Sequence, residues 1–139
     1  MQNFFDLYTG DTEIIKSVEN SIPINLLEND NKFSMIVGSN KSGKTSLAKS
    51  YSMLNQANLI FDIPKSLKNL KKTYLDLNSL NLADENLFHF LEYFISQDIG
   101  LTIFTSTDPL NVDENQAIIA DIKSRLSLFN IARIENPND

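Results

Sequence analysis

Cysteine is absent from the 139 residues. That excludes disulfide cross-links and thiolate metal sites, and it fits a reducing, cytoplasmic setting. Arginine occurs only as Arg125 and Arg133, and histidine only as His89. His89 falls in a helical stretch without an acidic or cysteine partner at metal-ligand spacing. It therefore reads as a packing or solvent-facing residue rather than a catalytic one. No apolar run approaches the length that spans a bilayer, so no membrane association is expected. The N-terminus lacks a basic segment followed by an apolar stretch, so no secretory leader is read there. Positive charge is in deficit: the formal net charge is -6 and the isoelectric point is near 4.7. Broad, strong DNA binding needs a basic face and is not expected. The local exception is Lys65, Lys68, Lys71 and Lys72. This cluster reads as a solvated connector, with a phosphate or nucleic-acid contact as the alternative. Glycine is scarce as well, with only four in the chain, so the position of each carries information.

Two of those glycines belong to Gly38-Ser39-Asn40-Lys41-Ser42-Gly43-Lys44-Thr45. The segment fits G-x-x-x-x-G-K-[ST], the phosphate-binding P-loop. Phe33–Val37 before it reads as a buried strand, and Ser46–Leu54 after it as a helix. The spacing has a physical basis. Glycines let backbone amides wrap closely around a phosphate. The amides and the following helix N-terminus then present positive dipole ends to the anion. Lys44 is placed to reach the β- and γ-phosphates, and the Thr45 hydroxyl to ligate Mg²⁺. The competing reading is an ordinary surface turn.

Length and a hydrophobic content of 42% suit one domain with a single core. Residues 1–10 form an aromatic-rich tail, and 11–139 form the domain. A short helix is predicted from Asp11 or Thr12, carrying Ile14, Ile15 and Val18 and ending before Pro23, with a polar turn at 28–32. A strand is predicted at 58–63, stopped by Pro64, and a weaker one at 73–77. Ala83-Asp84-Glu85 opens a helix running to about Gln97, with a broad apolar face. Strand 100–106, helix 117–128 and strand 130–135 follow, with Pro137 as terminator. This alternation predicts an α/β fold: a five-stranded parallel sheet flanked by helices, that is, a P-loop NTPase.

The parts after the loop resemble one family. The chain reads Asp76-Leu77-Asn-Ser-Leu-Asn-Leu-Ala83-Asp84-Glu85, then Leu101-Thr-Ile-Phe-Thr105-Ser-Thr107-Asp108-Pro109, then Asp121-Ile-Lys-Ser-Arg125-Leu126. Over about residues 33–137 this is similar to the AAA+ domain of the DnaA/Hda family, and most similar to its short Hda branch. The resemblance implies that Gly38, Ser39, Asn40, Lys41, Ser42, Gly43, Lys44, Thr45 and Ser46 hold ATP or ADP. It implies that Thr45 and Asp76 support Mg²⁺, with Asp76 as the Walker B carboxylate. Thr105, or else Thr107, would be the sensor near the γ-phosphate. Arg125 would be an arginine finger acting in trans on nucleotide held by a neighbouring subunit, a role suited to a permanently charged planar guanidinium. Read without the family, Asp76 could be a plain strand-end aspartate and Arg125 a surface arginine.

Two departures qualify the implied activity. The second Walker B acid, which activates water, is replaced by Leu77, so intrinsic hydrolysis should be poor. The residues after the fifth predicted strand leave no room for the family's C-terminal helical lid, so a lidless domain is expected. The tail residues Gln2, Phe5 and Leu7 look like the peptide with which Hda proteins dock on the DNA polymerase sliding clamp; packing against the domain itself is the alternative. The leading expectation is an adaptor that binds adenine nucleotide, docks on the clamp and stimulates DnaA–ATP hydrolysis. The alternatives are a small P-loop kinase or NTPase with Asp62 as its Walker B acid, and an interaction module whose nucleotide site is vestigial.

Overall fold

The computed structural model describes residues 21–39 and 42–134. In chain order they form helix α1 (Ser21–Glu28), strand β1 (Phe33–Val37), helix α2 (Lys44–Leu54), strands β2 (Asn58–Ile60) and β3 (Thr73–Asp76), helix α3 (Glu85–Gln97), strand β4 (Leu101–Thr105), a short 3-10 turn (Pro109–Asn111), helix α4 (Ala117–Leu126) and strand β5 (Asn130–Arg133). The strands make one sheet in the order β2-β3-β4-β1-β5. Every neighbouring pair is parallel. All carboxyl ends therefore share one rim, where α/β folds place their ligands.

The alternation of side chains along each strand sorts the core into two layers. Ile36, Tyr74, Phe104 and Ala132 face Leu27 of α1 and Leu47, Ala48 and Tyr51 of α2. Met35, Val37, Leu75, Leu101 and Ile103 face Leu87, Phe90, Leu91 and Phe94 of α3 and Ile119, Ile122 and Leu126 of α4. The central strands are buried on both faces, which is why β1 and β4 read as continuous apolar runs. Phe90 and Phe94 are fully buried, with ring centroids 4.9 Å apart. Burial of each stabilises the fold by about 2–3 kcal/mol.

Helix α3 shows how local chemistry sets the limits of an element. The Asp84 carboxylate accepts from the Asn86 amide at 2.9 Å and caps the first turn. Asp98, at φ 57 in the left-handed region, ends the helix.

Pro23 itself lies within α1 near its start, where a missing amide proton costs little and the fixed φ suits helix entry. Two expectations are corrected. Strand β2 stops at Ile60 rather than Ile63 because it is the sheet edge, where Phe61 and Asp62 turn into solvent. Strand β3, expected to be weak, is an interior strand with Thr73, Tyr74 and Leu75 all buried. Its hydroxyl-bearing residues find partners: the Tyr74 hydroxyl accepts from Asn55 Nδ2 at 2.6 Å. The helix predicted over 11–20 and the terminator Pro137 lie outside the described residues.

Candidate functional site

The loop after β1 begins at the sheet rim, where the Gly38 amide donates to the Thr105 carbonyl at 3.0 Å. The two motif glycines are required for different reasons. A Cβ on Gly38 would sit 2.5 Å from Ser42 Oγ and 3.2 Å from Ile134 Cβ, so there is no room for a side chain. Gly43 has φ 88 and ψ 12, a left-handed conformation that glycine adopts without strain. Gly43 is also the N-cap of α2, and no side chain caps that helix. The first-turn amides of α2 are thus left for an anion.

The Ser39 carbonyl gathers the loop. It accepts from Ser42 Oγ at 2.7 Å, from the Ser42 amide at 3.1 Å and from Lys44 Nζ at 3.0 Å. Lys44 is 4% exposed. Burial pushes its ammonium below the ordinary lysine value, and the charge of Asp76 pulls it partly back. A buried cation beside an uncapped helix N-terminus is a site prepared for negative charge. Thr45 follows in the first turn of α2 and is exposed, while Ser46 is half-buried. Asn40 and Lys41 lie outside the described residues.

Asp76 ends β3, level with Phe104 of β4, as is Ile36 of β1 on the other side of that strand. The fold thus brings Asp76 to the rim that carries the loop, and its charge acts on Lys44. Asp62 does not share this place. It lies beyond the edge strand β2, accepts from the Ile63 amide at 2.8 Å and lines a separate cavity of about 380 Å³ with Lys65, Leu77 and Asp84. Of the two aspartates, it is Asp76 that ends an interior strand and whose charge acts on Lys44. Leu77 packs against the α3–α4 side of the core. Among the described residues no group of three or more His, Cys, Asp or Glu could cage a metal. Thr45 and Asp76 fit the alternative for Mg²⁺, in which one carboxylate and a hydroxyl act together with ligand phosphates.

The sensor candidates form a clasp at the end of β4. Thr105 is fully buried; its hydroxyl donates to the Asn78 carbonyl at 2.9 Å and accepts from the Thr107 amide at 3.2 Å. Thr107 Oγ1 accepts from the Leu80 amide at 2.9 Å. Both hydroxyls thus hold the β3–α3 loop against the rim.

Sequence reasoning missed two features here. Asn78 Oδ1 accepts from Lys44 Nζ at 3.3 Å, linking residues 34 positions apart. Arg133, level with Val37 at the end of β5, makes a two-pronged pair with Asp108: Nε to Oδ2 at 2.6 Å and Nη2 to Oδ1 at 2.8 Å. The Arg133 guanidinium holds the Asp108 carboxyl below its ordinary value. A lone asparagine in a loop and an aspartate in the turn after a strand gave no sign of either contact.

Arg125 is not at this rim. It lies on α4, across the sheet from α2, with its guanidinium carbon 4.4 Å from the centroid of the Phe88 ring. Its Nε donates to Glu92 Oε1 at 2.7 Å, and its Nη1 to the Asp121 carbonyl at 3.2 Å. His89 is exposed beside the same α3–α4 groove, edge-on to Phe88. Lys65, Lys68 and Lys71 are exposed, whereas Lys72 is half-buried, pairs with Asp30 and donates to the Asn55 carbonyl at 2.8 Å. Gln2, Phe5 and Leu7 lie outside the described residues. No helix among the described residues is long and apolar enough to cross a membrane.

No protein-family model matches the sequence, and neither does any curated protein. Solved structures do match in shape. The crystal structure of DnaI aligns with a TM-score of 0.66 at 14% identity, over 88% of this chain and 93% of that one. AMPPCP-bound DnaA from Aquifex aeolicus aligns with a TM-score of 0.56 at 16% identity, over 85% of this chain and 46% of that one. A Neisseria meningitidis protein, NMB1076, aligns with a TM-score of 0.50 at 14% identity, over 76% of each chain. The chain spans less than half of the DnaA chain it matches. At these identities the likeness concerns the fold alone: a five-stranded parallel sheet with flanking helices, shared with DnaI and DnaA.

Proposed function

We propose that this AAA+ fold serves as a nucleotide-binding adaptor in the control of replication initiation. The observation that carries the reading is the loop at the end of β1: a buried Lys44, acted on by Asp76, beside the uncapped start of α2. Its ligand is ATP or ADP, gripped by Gly38–Ser46, with Mg²⁺ held by Thr45, Asp76 and the phosphates. The DnaA neighbour holds AMPPCP, an ATP analogue, which supports an adenine nucleotide here. Leu77 cannot orient or deprotonate water, so the domain holds nucleotide rather than turning it over.

The resemblance of Asp121–Leu126 and of the tail to the Hda branch supplies the partners. DnaA is the target and the sliding clamp the platform, engaged through Gln2, Phe5 and Leu7. Arg125 leaves Glu92 and Phe88 to reach nucleotide on the neighbouring DnaA subunit and stabilises charge on the transferring phosphoryl group. The protein works in the cytoplasm and has no need of strong DNA binding of its own.

The test is DnaA–ATP hydrolysis on clamp-loaded DNA. Wild-type protein accelerates it, and Arg125→Ala and Phe5→Ala do not. Equal hydrolysis with and without the protein defeats the adaptor reading. If calorimetry finds clamp binding without nucleotide binding, the domain is instead an interaction module.

A further inference from the structure

Asn78 occupies an unusual position for a residue with no motif to announce it. Its backbone is fixed at the sheet rim. The carbonyl accepts from Thr105 Oγ1 at 2.9 Å, from Ser106 Oγ at 2.6 Å and from the Ser106 amide at 2.8 Å. The side chain is exposed, and its Oδ1 lies 3.3 Å from the Lys44 ammonium. A primary amide has an acceptor on one arm and two donors on the other. Oδ1 therefore holds Lys44, and the donors of the amide are its Nδ2 protons. Asn78 follows Leu77 directly, two residues past the strand that ends at Asp76.

The geometry points to Asn78 as the residue that distinguishes a triphosphate from a diphosphate at this site. The inference rests on the nucleotide-binding reading above. Lys44 must turn from Asn78 toward the phosphates when nucleotide arrives. The amide is then free to rotate and donate to an oxygen of the terminal phosphate. A neutral amide suits that task in two respects. It carries no negative charge to repel the anion, as a second acid here would. It also cannot accept a proton from water, so it recognises the terminal phosphate without promoting its loss. Diphosphate leaves Asn78 without a partner and gains nothing from it. The three donors on the Asn78 carbonyl fix its backbone beforehand, which limits the entropy lost on binding to that of the side chain.

The test measures affinity for Mg²⁺–ADP and for a non-hydrolysable ATP analogue by calorimetry, using the full chain. Wild type binds the triphosphate more tightly. In Asn78→Ala, the triphosphate weakens about tenfold or more while ADP changes less than about twofold. Asn78→Asp separates two roles, because it keeps the acceptor for Lys44 and replaces the donor with a negative charge. If donation to the terminal phosphate matters, this variant also loses triphosphate affinity and keeps ADP. If Asn78 only positions Lys44, Asn78→Asp binds both nucleotides as wild type does, and the inference is overturned. It is likewise overturned if Asn78→Ala weakens both nucleotides equally or neither. The anchoring bonds are made by the Asn78 backbone, so both variants retain them; matching thermal melts confirm folding. Wild-type protein that binds neither nucleotide defeats the nucleotide-binding reading and this inference together.

Discussion

Replacing Lys44 with methionine should separate the binding of nucleotide from the stability of the fold. Methionine keeps the unbranched stem of lysine but removes the ammonium. In the unliganded protein this breaks two contacts, 3.0 Å to the Ser39 carbonyl and 3.3 Å to Asn78 Oδ1. Neither acceptor is left orphaned. The Ser39 carbonyl keeps Ser42 Oγ at 2.7 Å, and Asn78 is exposed to water. The substitution also relieves the burial of a charge that is 4% exposed. These effects oppose one another, so stability should change by no more than about 1 kcal/mol, which is a few degrees in Tm. Binding has no such compensation. Two charge-assisted contacts to phosphate are each worth about 1.5–3 kcal/mol. Their loss predicts an affinity for Mg²⁺–ATP lower by roughly two to four orders of magnitude. Thermal melts with and without nucleotide, together with calorimetric titration, measure both quantities. Wild type should show a ligand-dependent rise in Tm, and Lys44→Met should show none. A variant destabilised by more than about 2 kcal/mol with unchanged nucleotide affinity would refute this, because Lys44 would then be a tether between Ser39 and Asn78.

Gly43→Ala forces an alanine into a left-handed conformation at φ 88. It should cost about 1–2 kcal/mol in denaturant unfolding and weaken phosphate binding as the loop shifts. Phe90→Ala empties a fully buried position between α3 and the sheet and should destabilise by about 3–5 kcal/mol, with nucleotide affinity preserved wherever the variant remains folded. Burial pushes the Tyr74 hydroxyl up to about 12 from 10.0. The neutral form is the one that fits the fold, so the stability is fully present below pH 10 and is lost as pH rises toward 12. Denaturant melts of wild type should fall by about 2–3 kcal/mol more than those of Tyr74→Phe across that window. Equal slopes would count against a buried Tyr74 hydroxyl.

The sheet was legible in the sequence wherever burial on both faces leaves a continuous apolar run, as in Met35-Ile36-Val37 and Leu101–Phe104. The phosphate loop was legible because only glycine tolerates the contact at Gly38 and the dihedrals at Gly43. Pattern reading faltered where a local signal competes with a tertiary one. Phe61 and Ile63 look like strand residues, yet edge position leaves the segment after Ile60 unpaired. Tyr74 and Thr73 look too polar for an interior strand, but Asn55 reaches Tyr74 from the end of α2. Asn78 and the Asp108–Arg133 pair were beyond sequence reasoning because their partners are 34 and 25 positions away. Only the strand order brings those segments together, and periodicity does not encode strand order.

The brevity of β2 bears on how copies of this molecule can meet. Among the described residues its outer side offers just three residues of unpaired backbone, and Pro64 follows four residues later. An incoming strand would find too little ladder there to hold its register, so growth into a continuous ribbon through this margin is discouraged. Association through that side of the molecule is left to side chains such as the exposed Phe61 and Met53, whose identity selects a partner in a way that bare peptide groups do not.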